Sequence, residues 1–515
     1  MACPSEFMRC KVSERRRVLS SKADVYGTIA AFVVPFAVYV CTMAPTVYGL
    51  DSAELTTGAC TLGIVHSPGA PTYMLLGHLV SKIPVGDAGF RLNLLSALFG
   101  AATVTVVYRI ARELRLSVDA ALIGAGLLAF SFYFWAWALV AELYAPHAFF
   151  ASTICLCLLR WRDTQQARFL LTGALLFGIG CGNHTSLVLL LPGYAWLTFS
   201  VTPSILRRPR LMTMAVFCAA VGLSVFAYLP LRQSAQPQID YVSTYFPEVD
   251  LRTPAGLLWM LRGGMFESLF FSLPPADIAG QGVRFIHVLL SNFTPLGFGF
   301  AALGCWSLSK RNRAINTALA LFFLVHSIFF LTYGALDKFW MFSVSYVVAA
   351  IWAAAGVAHA EQLLPRWTSH IPRHAARGTA AACVLLLLVV NYPLLNLSHD
   401  TSARDFGVFL GSKMEHRAVF FGLWEQMPIL EYLQVAEGWR PDISLHSAVF
   451  LDTARVRKIV EQSLADGRPI YASRPELVPF SEITCSMILT NNLYLLTRHN
   501  ETKGAQTRWQ EFDAW

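Results

Sequence analysis

Long apolar runs alternate with breaks in this chain, and every second break carries a cluster of arginine and lysine. A run of about 20 apolar residues crosses a hydrocarbon layer of about 30 Å. Inside that layer each backbone N–H and C=O must be paired within its own segment, which selects helices. Lys and Arg gather on cytoplasmic loops, so a set of spans is acceptable only if every cluster falls on one side. The basic tail over 1–25, with Arg9, Lys11, Arg15, Arg16, Arg17 and Lys22, starts the chain there. Spans follow near 26–43, 92–110, 120–140 and 147–159. The stretch 169–200 reads as a hairpin of two short spans, its apex at Gly178, Gly180, Gly182, Asn183 and His184. Further spans lie near 212–231, 283–308, 315–333, 339–359 and 379–397. This gives about 11 transmembrane helices. Arg109, Arg112, Arg115, Arg160, Arg162, Arg207, Arg208, Arg210, Lys310, Arg311, Arg373 and Arg377 then all return to the side of the tail.

The composition fits an α-helical polytopic membrane protein: 55% of residues are hydrophobic and 14% charged. The net charge of +8 follows from topology, so nucleic acid is not an expected partner; the bilayer is. Most of the 11 Cys sit in apolar segments and no C-x-x-C pair occurs, which points to neither a zinc site nor a disulfide framework. The first span runs on into a polar loop without a small-residue cleavage site and reads as a retained anchor. No repeat of 20–50 residues and no related halves are visible, which disfavours solenoids and many transporter folds. Residues 398–515 carry more charge and shorter apolar runs. Strands over 418–422 and 469–473 and helices over 425–435 and 452–465 suggest a small soluble α/β domain there.

The topology puts two long loops, 44–92 and 231–283, on the outer side with that domain. Asp51 and Glu54 open the first loop, three residues apart and therefore on one helical face. Paired carboxylates at a membrane surface have a task or a cationic partner. Short helices lying on the outer interface would account for the length of this loop. His66 stands in a rigid Pro/Gly segment, and Arg91 is placed to pair with Asp51 or Glu54. Glu142 and His147 flank a short outer turn, Asn183 and His184 tip the hairpin, and Arg232 follows Pro230 at the outer interface. Each has a plainer reading: Asp51 as a helix cap, Glu54 as a solvated face, His66 as a partner of loop backbone, Arg232 as a snorkelling anchor, and Asp337 with Lys338 as a neutralised pair. No D-x-D motif or His/Cys cluster appears, so no catalytic metal is required, while the two-acid site leaves Mg²⁺ or Mn²⁺ open.

The blocks D-S-A-E-L at 51–55, H-S-P-G-A-P at 66–71 and R-L-N-L-L-S-A-L-F at 91–99 resemble the transmembrane protein O-mannosyltransferase family. A-E-L-Y-A-P-H-A-F at 141–149, Asn183-His184, Y-L-P-L-R at 228–232 and Y-L-Q-V-A-E-G-W-R-P-D-I at 432–443 fit in the same order. Ala53 stands where the family more often has Gly, and Ser67 where it has a second Pro. The resemblance implies a GT-C-like transmembrane domain over 26–397 and transfer of a sugar from a polyprenyl- or dolichyl-phosphate donor. It also implies an essential acid in the first outer loop, at Asp51. The expectation is therefore a glycosyltransferase moving mannose to Ser/Thr of an exported protein on the luminal or periplasmic face, in the ER or a bacterial inner membrane. Asp51 and Glu54 would be catalytic; His66, Arg91, Glu142, His147, Asn183, His184 and Arg232 would bind substrate. The rivals are the same chemistry on a lipid or glycan acceptor, a flippase of lipid-linked sugars, and a non-catalytic assembly subunit.

Overall fold

The computed structural model describes residues 21–201, 203–367, 372, 374–478, 480, 483–489 and 493–498. Most of the basic tail and Arg373 lie outside them. In chain order the membrane part comprises α1 (Lys22–Thr42), α2 (Asp51–Thr61), α3 (Pro71–Ser81), α4 (Ala88–Glu113), α5 (Val118–Ala129), α6 (Phe132–Trp137), α7 (Tyr144–Thr164) and α8 (Ala167–Cys181). Then come α9 (Leu191–Val201), α10 (Pro209–Leu223), α11 (Tyr228–Ser234), α12 (Tyr241–Tyr245), α13 (Pro254–Leu261), α14 (Pro275–Arg311), α15 (Arg313–Thr332), α16 (Ser343–Trp367) and α17 (Ala375–Leu395).

Seven helices among the described residues are long and apolar enough to cross a membrane; α5, α8 and the segment 185–200 are shorter apolar helices. The architecture is that of an integral, multi-pass membrane protein. The hairpin over 169–200 forms as expected, with its apex at Gly182–His184. The span expected over 120–140 does not run through. Ser131 ends α5 by donating Oγ–H to Leu128 O and restarts the chain as α6, its own carbonyl accepting from Trp135 N. Side-chain competition for backbone partners makes serine a helix interrupter at such a point.

The centre of the bundle is α16, of whose most apolar stretch 89% is buried. Its inner positions are small, among them Ala349, Ala350, Ala353, Ala354 and Gly356. Small residues let helix backbones approach where no water drives them together. The contact with α14 is tight enough that a Cβ on Gly304 would stand 1.7 Å from Trp352 O, and one on Gly356 1.8 Å from Phe300 O. α14 itself kinks at Thr294, just before Pro295.

The outer loop 44–92 folds into α2 and α3, but α2 does not lie on the lipid interface. Ser52 through Ala59 are all buried. Its cover is the C-terminal region: α18 (Ser402–Ser412), β1 (Val419–Gly422), α19 (Met427–Ala436), β2 (Ser444–Ser447), α20 (Thr453–Ala465), β3 (Ile470–Ala472), β4 (Ile483–Leu489) and β5 (Leu493–Arg498). Strand order is β2-β1-β3-β5-β4; β1 runs parallel to β2 and β3, and β5 antiparallel to β3 and β4. Alternate β1 residues face opposite layers. Phe420 packs with Leu410, Met427 and Leu430 of α18 and α19, whereas Val419 and Phe421 pack with Val456 and Val460 of α20. α19 turns its other face down, so that Ile429, Tyr432 and Leu433 join Val47, Ala53 and Ala88 of the membrane part in one apolar cluster.

Candidate active site

Asp51 and Glu54 occupy the first turn of α2, where the unpaired N–H groups of the helix favour negative charge. The chain then doubles back and brings His66 over the same turn. His66 N donates to Glu54 Oε1 at 2.6 Å, and its Nδ1 lies 2.5 Å from Oε2. The return depends on Gly69, at φ +83°, where a Cβ would stand 2.7 Å from the Leu229 side chain. The second outer loop holds it in place: Ile64 N donates to Ile239 O, and Tyr241 N to Ile64 O. The C-terminal domain completes the arrangement, Trp424 Nε1–H donating to Asp51 Oδ1 at 2.8 Å.

These residues border a cavity of about 530 Å³. Asp51, His66, His184 and Asp337 make its polar side; Leu261, Phe270, Phe329, Phe330 and Met341 make an apolar side; Arg262 and Phe266 come from the second outer loop, and Trp424 and Phe450 from the C-terminal domain. Phe266 and Trp424 both stand edge-on to the His66 ring, at 5.5 and 6.2 Å between centroids.

Acids outnumber cations here. Burial opposes a charge on His66, but the carboxylates of Glu54, Asp51 and Glu142 outweigh it and raise the imidazole to about 9, so the ring is protonated at neutral pH. Burial lifts Glu54 above the usual carboxylate range, His66 opposing and Asp51 adding. Glu142 is pushed well up by burial and then by the charge of Asp51. His184 is lowered to about 4 by burial and by the charge on His66, and stays neutral. Behind α2, Glu431 of α19 is half-buried and its pKa is raised to about 8 by desolvation, its Oε2 accepting from Tyr241 Oη–H at 2.5 Å. Asp51, Glu54 and His66 each offer one ligand atom, all within 4.8 Å of one another. A cation seated there would take the place of the His66 proton.

Of the residues expected to bind substrate, His66 and His184 line the cavity. Glu142 lies close behind, its carboxylate accepting from Leu143 N. Asn183 donates to Leu143 O at 3.0 Å and so ties the hairpin apex to the Glu142 turn. His147 is buried next to His184, and Ser186 Oγ lies 2.7 Å from His184 Nδ1 and 3.5 Å from His147 Nε2. The two arginines fall elsewhere. Arg91 makes no pair with Asp51 or Glu54; its Nε donates to Asp87 O and its Nη1 to Ile83 O, closing the α3–α4 turn. Arg232 donates to Leu62 O and Thr61 O at the C-terminus of α2, where the last carbonyls of a helix lack partners. Asp337 and Lys338 are not a pair either: Lys338 Nζ donates to Tyr333 O, and Asp337 faces the cavity. Sequence reasoning missed Trp424 and Arg262. It also passed over Asn93, which donates to Ala44 O and Thr46 O and accepts from Ala141 N, fastening the two outer turns together.

Residues 51–205 match the family described as the Protein O-mannosyl-transferase TMEM260 N-terminal domain. The chain is similar to Protein O-mannosyl-transferase TMEM260 of Mus musculus, 27% identical over 457 residues, covering 81% of this chain and 62% of that protein. It is also similar to Protein O-mannosyl-transferase tmem260 of Dictyostelium discoideum, 24% identical over 224 residues, covering 39% of this chain and 27% of that one. The chain therefore spans less than two thirds of the length of these curated relatives. Among solved structures, ArnT from Cupriavidus metallidurans bound to undecaprenyl phosphate superposes with a TM-score of 0.56 at 12% identity, over 92% of this chain and 97% of that one. Its apo state gives 0.54 over the same shares. At such identity the likeness is one of fold. The resemblance read from the motifs thus holds: over the segment that carries Asp51, Glu54, His66 and His184 the chain is similar to the TMEM260 protein O-mannosyl-transferases, on a GT-C-like fold shared with ArnT.

Proposed function

We propose that the protein is a membrane glycosyltransferase, moving a sugar, mannose by our reading, from a polyprenyl- or dolichyl-phosphate to Ser or Thr of an exported protein on the non-cytoplasmic face. The observation that carries this is the seating of Asp51: in a cavity whose lining is otherwise largely apolar, fixed by Trp424, with the His66 imidazolium beside it. One carboxylate oxygen accepts the indole N–H; the other has no hydrogen-bond partner among the described residues and takes the proton from the acceptor hydroxyl. The deprotonated Ser or Thr oxygen of the acceptor then attacks the sugar's C1, and the bond from C1 to the phosphate oxygen breaks, its electron pair leaving with the lipid phosphate. The departing phosphate is held by His66 and by Arg262, whose guanidinium swings from its exposed pair with Glu267. The lipid chain lies along Phe270, Phe329 and Phe330. A lipid-phosphate carrier suits such a wall, and the ArnT neighbour was solved with undecaprenyl phosphate.

No metal is required in this reading; the His66 proton supplies positive charge where Mg²⁺ or Mn²⁺ would otherwise sit. The basic tail and the arginine-rich turns face the cytoplasm, residues 26–397 form the transmembrane domain of about 11 spans, and 398–515 lie outside it with the cavity. The test is transfer from labelled dolichyl-phosphate mannose in membranes bearing the protein, with protein, lipid and glycan fractions collected. Label in protein Ser/Thr is expected. Label confined to lipid or glycan would replace the acceptor, and no transfer from any lipid-phosphate sugar would overturn the proposal.

A further inference from the structure

A second cavity, about 690 Å³, opens at the other end of the bundle. Two helices fix how far it lies from the first. α7 starts at Tyr144 in the wall of the first cavity and carries Arg162 into the wall of the second. At 1.5 Å per residue these are about 27 Å apart, close to the roughly 30 Å of a bilayer's hydrocarbon layer. α16 starts just beyond Met341 of the first and brings Ala355, Ala358 and Glu361 to the second. The two cavities face opposite leaflets.

Four guanidiniums line the second cavity: Arg112, Arg115, Arg162 and Arg311. Two acids share the wall, and each is engaged by an arginine outside it: Glu113 by Arg160 at 3.1 Å, and Glu361 by Arg377 at 2.6 Å. Arg112 and Arg162 have carboxylate partners of their own in Asp24 and Asp163. Arg311 has no carboxylate partner among the described residues; it meets His359 Nδ1 at 3.1 Å and Gln362 Oε1. The exposed Arg115 side chain has no hydrogen bond or ion pair among the described residues. Two uncompensated cations thus converge on one recess at the level where a bilayer's headgroups begin, with Leu114, Leu116 and Leu308 alongside. Guanidinium pairs suit phosphate because each can donate two parallel N–H groups to it, and basic pockets between transmembrane helices recruit anionic headgroups.

We propose that this recess is a phosphate-binding site for the headgroup of an anionic phospholipid, in the leaflet opposite the catalytic cavity, with Arg115 and Arg311 as its principal contacts. The full chain, purified in neutral detergent, would be titrated with dioleoyl phosphatidylglycerol, dioleoyl phosphatidylcholine or inorganic phosphate. Retained lipid is read by native mass spectrometry and stabilisation by thermal melting. Retention of phosphatidylglycerol over phosphatidylcholine is expected, falling about tenfold in R115Q/R311Q, as loss of charge-assisted hydrogen bonds predicts. R115K/R311K should keep most of it, and R208Q, on the same face but outside the recess, all of it. Stabilisation by inorganic phosphate alone, lost in the same double variant, would keep the phosphate site and assign it to a soluble phosphate. Retention unchanged in R115Q/R311Q with the R115K/R311K protein folded, or no preference for the anionic lipid, would overturn the proposal.

Discussion

At the scale of single residues the account rests on what holds Asp51. Among the described residues its side chain accepts one hydrogen bond, from Trp424, and a bond to a charged group contributes about 1.5–3 kcal/mol. Trp424→Phe keeps the ring against His66 and removes the donor. Steady-state transfer should show kcat down by roughly 10-fold or more, with KM for the lipid donor little changed; a KM effect alone would make Trp424 a wall residue only. A second expectation follows from His66. Its pKa is raised to about 9, so its charge is present at neutral pH and lost as pH rises through that value. Transfer should fall across pH 9, and His66→Gln should lower the rate and flatten that limb. The grouping of Asp51, Glu54 and His66 was legible because the two acids share one helical turn and the histidine follows 12 residues after Glu54 in a short, chemically unusual motif. Trp424 was not, since its partner is 373 positions away. Arg232 misled because an arginine at an outer interface reads alike whether it meets a phosphate or the orphan carbonyls ending α2.

At the scale of elements, the apolar runs located most spans, and the strands β1 and β3 and helices α19 and α20 lie within a residue or two of their expected places. β1 and β3 are short apolar runs buried on both faces, and α19 and α20 carry their buried apolar residues at helical spacing. The break between α5 and α6 escaped notice because the flanking residues are apolar and Ser131 alone makes it. β4 and β5 escaped because β4 is half-buried with Met487 exposed, and neither strand shows a clean alternation. Helix–helix fit is likewise hidden in composition: glycines in an apolar run look like any small residue until two of them meet. Gly304→Leu would drive a side chain into Trp352 O on α16, and helices packed this closely cannot move apart locally. The expected outcome is a sharp loss of folded protein in detergent, read by the monodisperse peak on size exclusion, whereas Gly299→Leu, with open space around it, should leave that peak unchanged.

For the whole molecule, positive charge on alternate turns fixed the topology expected here, but not that the C-terminal domain is the roof of the first outer loop. Ile429, Tyr432 and Leu433 are spread through a helix whose opposite face also packs, so the sequence cannot say which layer each serves. Docking desolvates the half-buried Glu431, and that has a sign. Burial raises its pKa from 4.5 to about 8, so between those values the folded state holds a proton the unfolded state has lost, and stability falls as pH rises through that window. Glu431→Gln should melt at a higher temperature than wild type at pH 8 and near the same temperature at pH 4.5; equal melting at both would show that the carboxyl is not sealed by the domain.

The central claim is that Asp51 removes the proton from the acceptor. Single-turnover transfer from a lipid-phosphate mannose by wild type and Asp51→Asn, with donor binding measured on the same samples, tests it most directly. The amide keeps the Trp424 bond and loses the base, so transfer should fall by about 100-fold or more while donor binding persists. Undiminished transfer in a folded Asp51→Asn protein would contradict the account.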